Sequence, residues 1–272
     1  MKRLHIVGCH RSGTTLLQTL VTTCFAVDGH AQDEMSIYAD PPRLEGDADG
    51  PGEPLYVSKK PRDVRALRVL LQADPKLYAL YIVRDPRAVI TSVHAADPDR
   101  YFTHLGAWLE CERRAAELRG HPRFVELRYE DLVREPDAVQ DDLARMYPFL
   151  RPERSFSSYQ EVAAPGHHAR LALGGVRSVN AERIEGWRQH LPRVRAQLER
   201  YREVDGGLAA ALIRRGYEAD EAWLSLLDGV EPLVVPSRTP ENEGSLKRLD
   251  RRLREWSRRR RRLQALQRES TQ

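Results

Sequence analysis

The chain has 272 residues, 41% of them hydrophobic and 31% charged, which suits one large α/β domain, or one domain with an extension, around a real core. No apolar run approaches the roughly 20 residues that span a bilayer, and the apolar part of the basic-then-apolar start, Met1-Lys2-Arg3-Leu4-His5-Ile6-Val7, is too short for a signal peptide and reads as a first buried strand. The net charge of +4 is uneven: eleven Lys/Arg against three Asp/Glu in residues 245–272 put +8 there and leave −4 in the rest, so the basicity implies no basic groove in the body.

Along the chain, residues 4–7 read as a strand ending at Gly8, and residues 16–27 carry apolar side chains at helical spacing. Residues 28–54 are rich in Asp, Gly and Pro and read as a long loop. A second strand over 55–58 and a helix over 64–72 follow, then a buried strand over 78–83 and a helix over 86–94 with proline in its first turn. A helix over 100–119, a fourth strand over 124–127 and a helix over 137–146 come next. Strands alternating with helices predict a parallel sheet covered on both faces, with ligands at the carboxyl ends of its strands. Residues 147–180 lack a period and read as a mobile segment or lid, and 182–216 as helical with a break at Pro192. The chain thus divides into a domain over 1–230, a Pro/Glu/Ser-rich linker over 231–244 and a basic helical tail over 245–272.

The sharpest motif is Gly8-Cys9-His10-Arg11-Ser12-Gly13-Thr14-Thr15-Leu16. A glycine-bounded loop between a strand and a helix turns backbone N–H groups and the helix N-terminus toward an anion. Gly8 and Gly13 have the spacing of a nucleotidase phosphate loop, but Thr14 stands where such an enzyme needs lysine, so the loop suits an anion rather than a Mg²⁺-triphosphate. Ile82-Val83-Arg84-Asp85-Pro86 likewise leaves a strand and enters a helix, with Arg84 able to fork onto a phosphate and Ser92 eight residues on. Arg87 reads as a solvated helix charge and His10 as a loop filler.

Arg11-Ser12-Gly13-Thr14-Thr15-Leu16-Leu17 resembles the 5'-phosphosulfate loop of sulfotransferases that use 3'-phosphoadenosine-5'-phosphosulfate (PAPS), closest to the bacterial and carbohydrate-type branch. The resemblance runs from about Leu4 to Tyr217 and implies a P-loop-like parallel sheet flanked by helices. It implies that Arg11, Ser12, Gly13, Thr14 and Thr15 hold the 5' side of PAPS, that Arg84 and Ser92 hold its 3'-phosphate, and that Arg177 and Ser178 close over it ahead of Trp187. Arg11 would also offset charge on the leaving group. Lys59, in Lys59-Lys60-Pro61, corresponds to a family lysine that can touch the sulfuryl oxygens, although Lys60 departs from the family threonine. Tyr129-Glu130-Asp131-Leu132 with Pro136 resembles a structural segment, and Arg215-Gly216-Tyr217 the end of the domain.

A transfer to a hydroxyl or amine also needs a general base. His30, Asp33, Glu34 and Asp63 lie in the stretch where the family places one; Glu34 is the first candidate and Asp33 the second. The acceptor class stays open among saccharides, lipids and small metabolites. A P-loop small-molecule kinase and a non-catalytic sulfotransferase-like binding protein are the alternatives. No metal is required: His167-His168 has no third ligand at metal spacing. Cys9, Cys24 and Cys111 read as reduced thiols of a cytoplasmic protein. In the tail, Leu246, Leu249, Leu253, Trp256 and Leu263 share a face, and Arg258 to Arg262 are consecutive arginines. Self-association through a docking arm, a membrane-surface helix and a nucleic-acid patch compete there. Trp256 alone offers stacking, so nucleic acid is not expected.

Overall fold

A computed structural model describes residues 1–42, 44, 53–94, 97–241 and 245–269. Parts of the predicted 28–54 loop, of the linker and of the tail therefore lie outside the described residues. The chain runs β1 (Lys2–Gly8), α1 (Thr14–Cys24), β2 (Gly29–His30), β3 (Leu55–Lys59), α2 (Val64–Ala73), β4 (Leu77–Val83), α3 (Pro86–Ile90), β5 (Val93–His94), β6 (Asp97–Tyr101), α4 (Leu105–Ala116) and β7 (Phe124–Arg128). Then come α5 (Tyr129–Arg134), α6 (Pro136–Met146), α7 (His167–Leu173), α8 (Leu191–Arg200), α9 (Gly207–Arg214) and α10 (Ser245–Glu269), with short 3₁₀ turns between some of them.

Five parallel strands form the central sheet in the order β2-β3-β1-β4-β7. Successive side chains of a strand point to opposite faces. Leu4 and Ile6 of β1 and Leu80 and Ile82 of β4 therefore pack with Leu17, Leu20 and Leu143 of α1 and α6. Val7 of β1 and Ala79, Tyr81 and Val83 of β4 pack on the other face, with Leu67, Trp108, Val194 and Leu212 of α2, α4, α8 and α9. Both faces are covered, as the apolar runs of the strands require. The polar residues of β1 are buried with partners: Arg3 Nη1 donates to Asp74 Oδ2 at 3.0 Å, and His5 Nδ1 lies 2.8 Å from Ser58 Oγ. Strand β1 has β3 on one side and β4 on the other, so the chain order reverses beside it, and its carboxyl end is the switch point where open α/β sheets hold ligands.

Three local expectations need correction. The helix predicted over 86–94 stops at Ile90; the Thr91 hydroxyl donates back to Arg87 O at 2.7 Å, and Val93 and His94 pair with β6 instead. Apolar Val89, Ile90 and Val93 mimic helical spacing, but the last belongs to a hairpin. The helix predicted from 100 begins at Leu105, where the His104 ring accepts a hydrogen bond from Ala107 N at 3.3 Å and caps it. Residues 147–180 hold a 3₁₀ turn, Phe156–Glu161, and helix α7, and Phe156 and Tyr159 are buried against the α1 side of the core.

Residues 233–239 run extended across the body. Leu233 N donates to Pro192 O, Arg238 N to Tyr101 O and Thr239 N to Phe102 O, each at 2.9 Å. Arg193, buried on α8, grips the same stretch through Val235 O at 3.1 Å and Ser237 Oγ at 2.7 Å. Among the described residues no helix is long and apolar enough to cross a membrane, and no group of three or more His, Cys, Asp or Glu is placed to hold a metal ion.

Candidate active site

The loop leaving β1 is shaped by its glycines. Gly13 adopts φ +104, and a Cβ there would stand 2.5 Å from the Tyr129 ring. At Gly8 a Cβ would meet both Ile82 O and Ser12 Oγ at 2.6 Å. Arg11 takes the left-handed conformation despite its side chain, with φ +70, which a non-glycine residue holds only where its surroundings enforce it. The Ser12 hydroxyl donates to Cys9 O at 2.7 Å and its backbone N–H to the same oxygen at 3.2 Å. Ser12, expected to touch the donor, is fully buried with both donors engaged inside the loop; it holds the turn and presents no side chain to the cleft. Helix α1 starts at Thr14 with no side-chain cap on its first N–H groups, which leaves them to a ligand.

A cleft of about 510 Å³ opens at this point. Arg11, Gly13, Thr14, Thr15, Arg84, Ser92, Arg177 and Ser178 all line it, so residues spread over most of the sequence meet around one space. Arg11 Nε donates to Ser92 Oγ at 2.8 Å. Arg84 lies flat over the Tyr129 ring, 4.2 Å from its centre, and donates to Arg11 O at 3.3 Å and to Arg183 O at 3.2 Å. Its Nε is buried with no partner. Neither arginine's hydrogen bonds go to a carboxylate. Burial first, and then the positive charges of Arg84 and Arg183, pull the Arg11 guanidinium down to about 10. Cations held together beside a helix N-terminus, with Glu182 the one carboxylate among the described residues of the wall, make a site for a polyanion. Arg177, also in the lining, donates to Leu173 O at 3.5 Å at the end of α7.

A second cleft of about 450 Å³ adjoins the first and shares Arg11, Thr14, Thr15 and Ala172 with it. His10, Gln18, Gln32, Asp33, Glu34, Lys59, His94, Phe102 and His168 contribute to its wall. Lys59 is buried at the end of β3, and its Nζ donates to Thr15 Oγ1 at 3.2 Å and to Glu34 Oε1 at 3.4 Å. One ammonium thus ties the anion loop to the half-exposed Glu34. Of the other acidic candidates, Asp33 faces the same cleft, whereas Asp63 is engaged in the scaffold through Ile37 N at 2.6 Å and His5 Nε2 at 3.4 Å. His30 lies outside this cleft, by a smaller cavity behind α1.

Several contributors escape sequence reasoning. His10 is more than filler: it lines the second cleft, its ring packs 5.4 Å from that of Phe102, and its Nδ1 is buried without a partner. Burial, then Lys59, Arg65, Arg11 and Lys60, lowers its pKa to about 4, so it is neutral at pH 7. Its place inside the loop motif was the available signal. Tyr129, read in the sequence as part of a structural segment, and Arg183, which carried no signal, support Arg84, and only the fold brings them there. Arg87 is not solvated: it is buried, pairs with Asp85 at 2.7 Å and Glu218 at 2.5 Å, and stacks 4.0 Å from the Trp187 ring. It braces Trp187, itself buried in the wall of the first cleft.

A polyanion site at the switch point of a parallel sheet, adjoining a cleft with a carboxylate and an amine, is an arrangement suited to group transfer. The sequence pattern of the sulfotransferase family matches residues 27–155, a little under half of the chain. The matched stretch holds Glu34, Lys59, Arg84 and Ser92 but begins after the anion loop, so the loop rests on its own geometry. No curated protein matches the chain. Among solved structures, the sulfotransferase domain of the Synechococcus PCC 7002 olefin synthase is similar at 17% identity, over 69% of this chain and 86% of that one, with a TM-score of 0.43. The sulfotransferase domain of the curacin biosynthetic pathway is similar at 16% identity, over 68% and 90%, with a TM-score of 0.45. Retinol dehydratase in a complex with retinol and PAP is similar at 16% identity, over 87% and 84%, with a TM-score of 0.34.

Proposed function

We propose that the protein moves a sulfuryl group from PAPS onto a hydroxyl or amine of a saccharide, lipid or small metabolite. The observation that carries this reading is the trio Arg11, Arg84 and Arg183, crowded without a carboxylate partner where β1 meets α1. The first cleft fits the donor by volume and by charge. In this reading the 5' phosphosulfate lies on the loop from Arg11 to Thr15, with Thr14 and Thr15 hydroxyls and the first N–H groups of α1 as donors. The 3'-phosphate takes Arg84 and Ser92, with Arg177 and Ser178 covering it. The unpartnered Nε of Arg84 is a donor waiting for such an acceptor.

The transfer breaks the S–O bond to the 5'-phosphate, which leaves with the adenosine bisphosphate, and forms a new S–O bond to an acceptor hydroxyl or S–N bond to an acceptor amine, whose proton passes to Glu34. Such a transfer is mostly positioning and charge stabilisation. Arg11 stands on the boundary between the clefts and offsets charge on the bridging oxygen as the bond breaks. Lys59 reaches both Thr15 and Glu34; it neutralises sulfuryl oxygens on one side and orients the Glu34 carboxyl on the other. No step calls for a metal.

Calorimetric titration with adenosine 3',5'-bisphosphate and separately with Mg-ATP, in wild type and Arg84→Ala, tests the reading. The expected result is tight bisphosphate binding, much weaker Mg-ATP binding, and loss in the variant. Preference for Mg-ATP would favour a kinase, and indifference to Arg84→Ala would remove the 3'-phosphate assignment.

A further inference from the structure

The C-terminal helix α10 carries two different faces. Near its end, buried Arg262 pairs with Asp40 and lies 3.5 Å from Asp74, which also holds Arg3. Leu266 is buried beside it, and Leu263 packs against the core cluster that includes α2 and α4. This face fixes the helix to the body at the segment that runs on from Glu34 to Asp40.

The second face is bare. Leu249, Leu253 and Trp256 are 55%, 56% and 58% exposed, whereas the other tryptophans, Trp108, Trp187 and Trp223, are buried. Successive helical residues turn by about 100°, so these three share one narrow stripe, roughly a third of a turn from Arg262 and Leu266. Leu263, two turns beyond Trp256, falls on the same stripe and packs against the core, so the stripe is covered there and open from Leu249 to Trp256. Arg260 lies over the Trp256 ring at 5.4 Å, and exposed Arg254, Arg258 and Arg261 stand on the far side of the helix. The stretch 245–272 carries a net +8 on a body of net −4.

We infer that α10 is an interfacial arm that lays Leu249, Leu253 and Trp256 into the surface of an anionic lipid bilayer, drawn there by the net positive charge of its segment and with Arg260 beside Trp256 on the headgroups. An exposed apolar stripe ending in one tryptophan, on an arginine-rich helix, is the pattern of helices that lie in a membrane interface. Each arginine near an anionic surface adds about 1 kcal/mol, so lipid charge, not only the stripe, sets affinity. A second copy of this chain fits less well, because it would bring one arginine-rich helix against another. Nucleic acid would use the arginines but leave the leucines without a role.

The test is co-sedimentation of the full chain with phosphatidylcholine vesicles, with and without phosphatidylglycerol, alongside tryptophan fluorescence. Trp256 is the exposed indole, so its insertion gives a blue shift and quenching by brominated lipid. The expected result is binding at least about tenfold tighter to the anionic vesicles. L249S/L253S/W256S should lose that binding with an unchanged melting temperature, since none of the three is buried. R258Q/R259Q/R261Q should lose the preference for phosphatidylglycerol. Any of four results overturns the inference: no vesicle binding at low salt, binding without a blue shift that the triple serine variant retains, a dimer in solution that the same variant abolishes without any lipid binding, or nucleic-acid binding tighter than vesicle binding at physiological salt.

Discussion

The two clefts are built differently. The first sets groups placed by strand ends and a helix start, Thr14 and Thr15 after β1, Arg84 after β4 and Tyr129 after β7, against the stretch from Ala172 to His190. The second sets Lys59 at the end of β3 and the start of α1 against Gln32 to Glu34 from the chain after β2, His94 and Phe102 by the β5–β6 hairpin, and α7. A group at a strand end is located by the sheet's hydrogen-bond ladder, whereas a group on a loop can be exchanged without disturbing the core. The strand-end groups of a wall are thus the ones the sheet fixes, and the loop groups the ones free to vary.

Substitutions can break that division, and the largest effect is expected at the acceptor side. Glu34→Gln should lower kcat by about 10²–10⁴ and leave the Kd for adenosine bisphosphate unchanged. A weakened donor Kd would show that the clefts are not separable. Arg11→Ala, on the shared wall, should cost about 10²–10³ in kcat and weaken donor binding as well. Arg84→Ala should weaken bisphosphate binding about 10- to 100-fold, the value of a lost hydrogen bond to a charged group, and leave the acceptor KM alone. Gly13→Ala should destabilise the fold by about 1–3 kcal/mol in a denaturant titration, because it forces an alanine to φ +104 against Tyr129.

The smallest effect concerns pH. Burial and the neighbouring Lys59, Arg65, Arg11 and Lys60 hold His10 at about 4 against an ordinary 6.5. Between those values the unfolded chain binds a proton that the folded one refuses, so folding stability falls as pH drops through that window, by at most about 1.4 kcal/mol per unit. His10→Asn should flatten this slope in melts taken from pH 7 to pH 4. An anionic donor in the first cleft offsets the nearby cations, and bound bisphosphate should move the His10 titration upward, readable by NMR.

The division also explains what the sequence discloses. Gly8, Gly13 and Arg84 are legible because a tight turn and a strand end demand particular residues at particular spacings. The sheet is legible because apolar runs such as Leu77–Val83 have few alternatives. Arg87 misleads because nothing near it in sequence shows that Glu218, 131 residues on, completes its pairing. Ser92 was placed on a helix because Val93, a hairpin residue, continues the apolar period of α3 by coincidence. The docking of α10 was illegible for the same reason as Arg87: Asp40 and Arg262 are 222 residues apart. The wall of the second cleft, drawn from α1, the chain after β2, the end of β3, the β5–β6 hairpin and α7, leaves no single motif.

Arg11, Thr14, Thr15 and Ala172 form the seam between two cavities that otherwise have separate walls. Two molecules can therefore be held at once, each touching the seam from its own side. Steady-state kinetics should follow a ternary-complex rate law, with double-reciprocal lines that intersect. The spent nucleotide should inhibit competitively against the donor and non-competitively against the acceptor. At high acceptor concentration a dead-end complex should form, with acceptor seated beside a nucleotide that has already given up its sulfuryl group, and turnover should then wait on that nucleotide's escape.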